Sequence, residues 1–146
     1  MRLFLVPDIH RATHQIGLYL QAALAGKDVS QAEAHVLADL HEEGACTVAR
    51  LLQSFGHKPS TLTSILNRLE KKGLIVREPS PGDRRSFVVR PTPRGKALAR
   101  QVHRALCALE ARVLRVKGTR AQLAALGAVL GGIEVAVMAG IEEAMR

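Results

Sequence analysis

Apolar residues recur every three or four positions through most of this chain, and that spacing predicts helices. Asp8 can cap a first one, with Ile9, Ala12, Ile16, Leu20 and Ala23-Leu24 on one side and Gly26 ending it. Ser30 and Glu33 have the spacing of a capping box, and the helix they open puts Ala34, Leu37, Ala38 and His41 on one face. After Gly44, Thr47 opens a third helix through Val48, Leu51 and Leu52 that closes near Gly56. Pro59 suits the first position of a fourth, whose apolar stripe is Leu62, Ile65, Leu66 and Leu69 and whose stop is Gly73.

The pattern then changes. Leu74-Ile75-Val76-Arg77 and Phe87-Val88-Val89-Arg90 are β-prone and flank Pro79-Ser80-Pro81-Gly82-Asp83, turn chemistry longer than a two-residue hairpin loop. Helical spacing returns at Thr92, a cap, with Pro93 behind it. Leu98, Val102, Ala105-Leu106, Leu109, Val113 and Val116 follow at near-heptad steps until Gly118. Thr119 with Gln122 opens a sixth helix through Leu123, Leu126, Leu130, Ile133, Val137 and Ile141. Its glycines, Gly127, Gly131, Gly132 and Gly140, each lower helix propensity by about 1 kcal/mol. They read as permitting close helix contact, with a frayed or kinked helix as the rival.

At 146 residues and 47% apolar, the chain is the size of a single domain, residues 1–146, with a real core. One Tyr, three Phe and no Trp leave that core to Leu, Ala, Val and Ile, which favours helices over an aromatic β-sandwich. No stretch approaches the roughly 18 consecutive apolar residues of a span, and neither a membrane nor a signal peptide is expected. Two cysteines, Cys46 and Cys107, make no disulfide framework, which points to a reduced, cytoplasmic chain.

Charge decides the class of partner. Residues 44–96 hold eleven Lys and Arg against three Asp and Glu, and the rest of the chain holds ten of each. The whole net charge of +8 therefore sits on the third and fourth helices, the β-ribbon and the start of the fifth helix. A polar helix followed by a basic-tipped ribbon points to double-stranded DNA. Lys58, Ser60, Thr61, Thr63, Ser64, Asn67 and Arg68 lie off the fourth helix's apolar stripe, where hydroxyls, an amide and two cations can meet base edges and phosphates. An Arg at the ribbon tip suits the minor groove, where the negative potential is strongest. A winged-helix module that binds protein, or DNA only architecturally, is the competing class; it should expose apolar residues on that face.

The same residues carry a resemblance. Thr47 to Gly95 is similar to the winged helix-turn-helix core of the MarR family of bacterial transcriptional regulators. Leu51-Leu52-Gln53-Ser54-Phe55-Gly56 resembles the motif's first helix. Ser60-Thr61-Leu62-Thr63, Arg68-Leu69-Glu70-Lys71-Lys72-Gly73-Leu74 and Asp83-Arg84-Arg85-Ser86 resemble its recognition helix and wing, and Thr92 with Gly95 the start of its fifth helix. Three positions depart from the pattern: Lys58 stands where a small polar cap is usual, Pro91 replaces an aliphatic residue and Pro93 an acidic one. Pro91 should shorten the second wing strand.

The resemblance implies a mainly α fold with a small antiparallel β-wing, a winged helix-turn-helix within a six-helix dimeric frame. Residues 30–95 would form the DNA-binding lobe, and 8–25 and 94–146 the dimerisation helices. It further implies a homodimer on a pseudo-palindromic operator and repression relieved by a small aromatic or anionic effector. Arg85 would insert in the groove, Asp83 orient it and Arg84 contact the backbone.

Other features promise less. His10 and His14 have a metal-compatible spacing, but no third ligand is placed among His35, His41, Glu42 and Glu43, so no metal is expected. Cys46 lies near a helix N-terminus, which can favour thiolate, yet ordinary packing is the expectation. No nucleophile elbow or phosphate loop is present, and neither an enzyme nor a cofactor is expected.

Overall fold

The computed structural model describes residues 3, 5–81, 83–117 and 120–145, with backbone alone at 83–85 and 116–117. Its elements are α1 (Leu5–Ala23), α2 (Gln31–Glu43), β1 (Cys46–Thr47), α3 (Val48–Phe55), α4 (Pro59–Lys71), β2 (Ile75–Ser80), β3 (Asp83–Pro91), α5 (Pro93–Lys117) and α6 (Arg120–Ala144). The mainly α class with a small antiparallel wing is the fold observed. The chain divides into two compact units, Met1–Leu106 and Cys107–Arg146, where composition suggested one domain.

In the first unit, local chemistry sets most boundaries. Ser30 Oγ accepts from the Glu33 amide, and the Glu33 carboxylate accepts in return from the Ser30 amide at 2.7 Å, so the capping box closes as read. Thr47 Oγ1 caps α3 through the Arg50 amide at 3.2 Å. Gly56 ends α3 in the left-handed region at φ 58°, where a side chain is disfavoured. Thr92 caps α5 through the Gly95 amide at 3.0 Å. Gly95 has its own reason: a Cβ there would overlap the Leu74 carbonyl oxygen.

Three sequence readings of where elements begin and end need correction. α1 begins at Leu5, so Asp8 is not its cap but a first-turn residue paired with Arg11 at 3.3 Å. Pro7 is tolerated there because first-turn amides have no helical partner. The wing strands are longer than their apolar cores. Ser80 pairs with Asp83, leaving two residues between the strands, with a register shift between Pro79 and Ser80. Pro91 does not shorten β3 but ends it in register with Ile75, at a strand end where a missing N–H is tolerated. Gly82, Gly118 and Thr119 lie outside the described residues.

The sheet order is β1-β3-β2, all antiparallel. Cys46 and Thr47 pair with Val89 and Val88, a third strand too short to show alternation in sequence. Around this sheet Leu37, Leu40, Leu51, Leu62, Leu66, Leu69, Ile75 and Val89 form the main core. A second cluster joins Leu20 and Leu24 of the α1 region, Ala34 and Ala38 of α2, and Val102 of α5. Tyr19 donates to the Ala105 carbonyl at 3.0 Å, fastening α1 to α5. His41, read onto the apolar face of α2, is exposed; Val36 and Leu40 take the interior instead.

The second unit differs. α6 is continuous from Arg120 to Ala144, and no described residue on it is buried. Its length and composition would suffice to cross a membrane, with a mean hydropathy of 1.9 over its best window. Glu134 stands near its middle.

Candidate nucleic-acid interface

The fourth helix divides as its sequence divides. Leu62, Ile65, Leu66 and Leu69 are buried, whereas Lys58, Ser60, Thr61, Thr63, Ser64, Asn67 and Arg68 are all exposed. Pro59 at its start has no N–H to satisfy, and Lys58 makes no side-chain cap but accepts the Thr61 and Leu62 amides on its carbonyl at 3.0 and 3.2 Å. A hydrophobic stripe on one side therefore fixes a polar, cationic surface on the other.

Several of those side chains already have partners. Thr63 Oγ1 donates to the Pro59 carbonyl at 2.8 Å and Ser64 Oγ to the Ser60 carbonyl at 3.0 Å, so in this state both hydroxyls face outward as acceptors. Asn67 Oδ1 accepts from Arg77 Nη2 at 2.8 Å. Arg68 is only half free, because its Nε donates to Glu33 Oε1 at 3.1 Å. The side chains of Asp83, Arg84 and Arg85 lie outside the described residues.

Beneath the surface sits an acid that sequence reading used only as a cap. The Glu33 side chain is 1% exposed and meets Arg68 on one oxygen and Lys72, at 2.9 Å, on the other. Burial alone would raise its pKa; the Ser30 amide, Lys72 and Arg68 outweigh it and hold the carboxyl below its ordinary value. Lys72 in turn donates to the Asp28 carbonyl at 2.8 Å. The foot of α4 is thus pinned to the start of α2. Capping-box spacing gives Glu33 its place; nothing local in sequence foretells its two cationic partners.

The block's cations consequently have two fates. Arg50 pairs with Glu43 at 3.2 Å, Arg90 with Glu78 at 2.8 Å, and Arg77 with Glu70, so these brace the lobe. Lys58 and Lys71 make no ion pair among the described residues and remain for a polyanion. Alongside lies a cavity of about 430 Å³ at the foot of α4, lined by Lys27, Asp28, Lys72, Arg94, Leu98 and Gln101 among others.

The same lobe matches the description "MarR family" over residues 29–87. This chain belongs to the MarR family. It is 34% identical over 80 residues to the multiple antibiotic resistance protein MarR of Salmonella typhimurium, covering 55% of this chain and 56% of that one. With the HTH-type transcriptional regulator PecS of Dickeya dadantii it shares 31% over 103 residues, 68% of this chain and 62% of PecS. The chain thus spans less than two thirds of either relative's length. Among solved structures, a MarR variant from E. coli complexed with operator DNA superposes with a TM-score of 0.72 at 26% identity, covering 88% of this chain and 92% of that one. The winged-helix fold of the MarR family is therefore the fold of this chain.

Cys46 is buried in the main core, as ordinary packing leads one to expect, and burial, helped by Asp39 and Glu43, pushes its thiol up to about 11. His10 and His14 are exposed, and among the described residues no group of three or more His, Cys, Asp or Glu could hold a metal ion. His103 instead contacts Glu42 at 3.2 Å and lies 4.7 Å from the His41 ring.

Proposed function

We propose that this chain is a sequence-specific regulator of transcription that binds double-stranded DNA as a homodimer, in the cytoplasm, and represses from a pseudo-palindromic operator. The observation that carries the reading is the divided fourth helix: seven exposed polar or cationic positions opposite four buried apolar ones, beside an antiparallel ribbon. A protein-binding version would expose apolar side chains there. Likeness to a MarR variant complexed with operator DNA supports the same conclusion.

Dimerisation follows from α6. A helix apolar on all sides is stable only when buried. With Glu134 near its centre, a second copy of this chain is a better cover than lipid, since a central carboxylate costs roughly 2.5–3.5 kcal/mol in a bilayer. Leu109, Val113, Leu126 and Ile133 would be central, and an interface of this class buries more than about 2,000 Å². An aromatic or anionic effector would fit the cavity by α4, where Lys27 and Arg94 offer charge and Leu98 an apolar wall. At the wing, Asp83 would hold Arg85 ready for the minor groove, with Arg84 on the backbone.

Selection from a random duplex pool tests the reading and yields the operator. On that operator, Ser60→Ala or Thr63→Ala should relax base preference, each good contact carrying roughly 1–3 kcal/mol of discrimination. Lys58→Ala should weaken all duplexes alike and lower the salt slope by about one. If the α4 substitutions leave base preference untouched, this helix is not what reads the sequence.

A further inference from the structure

Arg77 stands on β2, yet its side chain works on α4. Its Nη2 donates to Asn67 Oδ1 at 2.8 Å, while its Nε donates to Glu70 Oε2 at 3.2 Å and its backbone N–H to Glu70 Oε1 at 3.3 Å. Glu70 thereby holds the guanidinium at both its side chain and its backbone, and the Arg77 side chain is only 26% exposed. The bonds from Arg77 outweigh burial and keep the Glu70 carboxyl below its ordinary pKa, so the brace persists at neutral pH.

A guanidinium has five N–H donors and no acceptor. Facing it, an Asn amide has one workable orientation: oxygen toward Arg77, nitrogen away. A flip would set N–H against N–H. Asn67 is exposed, on the same helix side as Ser64 and Ser60. Its NH₂ is therefore the end left to the groove, as a donor of fixed sense.

We infer that Arg77 is a specificity-setting residue: by fixing the Asn67 amide it makes this position read a base that offers major-groove acceptors, guanine above all, and reject cytosine. Guanine presents N7 and O6 as acceptors, whereas cytosine presents an N4 amino donor that would oppose the NH₂. Arg77 itself touches no base. It acts through Asn67, and Glu70 acts through Arg77. The inference rests on the proposed DNA-reading role of α4.

The test compares the full-length parent with Arg77→Met and Asn67→Asp by competition binding, using duplexes that carry all four bases at each position of the selected operator. Thermal melts accompany it. The parent should disfavour cytosine by about tenfold or more at one base pair per half-site, the discrimination of one good base contact. Arg77→Met frees the amide to flip, so that discrimination should fall to within about threefold while preferences elsewhere in the site persist. Asn67→Asp presents acceptors only, still held by Arg77, and should reverse the preference toward cytosine. This exposed substitution remains informative should Arg77→Met melt early. A uniform affinity loss for Arg77→Met with base preferences intact, or an unchanged preference for Asn67→Asp, overturns the assignment. A parent that binds all duplexes equally overturns the DNA-reading role and the assignment with it.

Discussion

Helices α4 and α6 make opposite use of apolar sequence. In α4 only four residues face inward, and all four are at most 2% exposed. In α6, the more apolar helix, Leu126 is 47% exposed, Leu130 41% and Val137 51%. The apolar side of α4 is covered within its own lobe, whereas none of the described residues of α6 is buried. Periodicity tells which side of a helix is apolar, but not whose atoms cover it. The surface proposed for each follows: for α4 it is the polar side left over after packing, and for α6 the apolar side whose described residues stay partly exposed.

The largest effect should come from breaking the contact proposed for α6. Leu126→Asp combined with Leu130→Asp places two carboxylates where the proposed second copy sits. Each fully buried Leu is worth roughly 1.5–3 kcal/mol, so the pair should weaken association by at least about a hundredfold. Sedimentation at micromolar concentration should show two chains for the parent and one for the variant, with far-UV helicity of the lobe retained. A variant that still sediments as two chains would place the interface elsewhere.

Glycines sharpen the contrast next. Gly95→Ala forces a methyl group into the Leu74 carbonyl, where backbone must move. Overpacking of this kind costs about 1–3 kcal/mol, several degrees of Tm for a domain of this size. Gly131→Ala meets no heavy atom within 4 Å and lies off the Leu126–Leu130–Val137 stripe. It should hold or raise Tm, since Ala gains about 1 kcal/mol of helix propensity over Gly. Equal losses for both would show that α6's glycine side is covered as closely as Leu74 covers Gly95.

The sequence made α4 legible on both sides because its two residue classes separate cleanly at helical spacing. Caps at Ser30, Thr47 and Thr92 were legible for a similar reason: each is settled within three or four residues. What escaped depends on distance along the chain. β1 is two residues long, too short for alternation, and is defined by Val88 and Val89 some forty positions later. Arg68 carries a formal charge like any other, yet only its meeting with Glu33, 35 positions away, shows that part of it is a brace. Arg77 read as a strand end, and its grip on Asn67 follows from the way the wing folds beside α4.

A pH series isolates the Glu33 brace. Glu33 sits below its ordinary pKa in the folded chain, despite burial, because the Ser30 amide, Lys72 and Arg68 favour its charged form. A depressed carboxylate contributes its full stability above its unfolded value, near 4.3, and loses it as pH falls through the lower folded value. The parent lobe should therefore lose Tm on acidification below about pH 4.5, partly through this residue. Glu33→Gln keeps the side chain's size and an acceptor for the Ser30 amide but not the charge. It should lower stability by about 1–3 kcal/mol at pH 7, the worth of hydrogen bonds to a charged group, and by much less at pH 3. The two melting curves should thus converge in acid. Parallel curves from pH 7 to pH 3 would mean that Arg68 and Lys72 hold α4 without the help of Glu33, and that α4 is fixed by its apolar stripe alone.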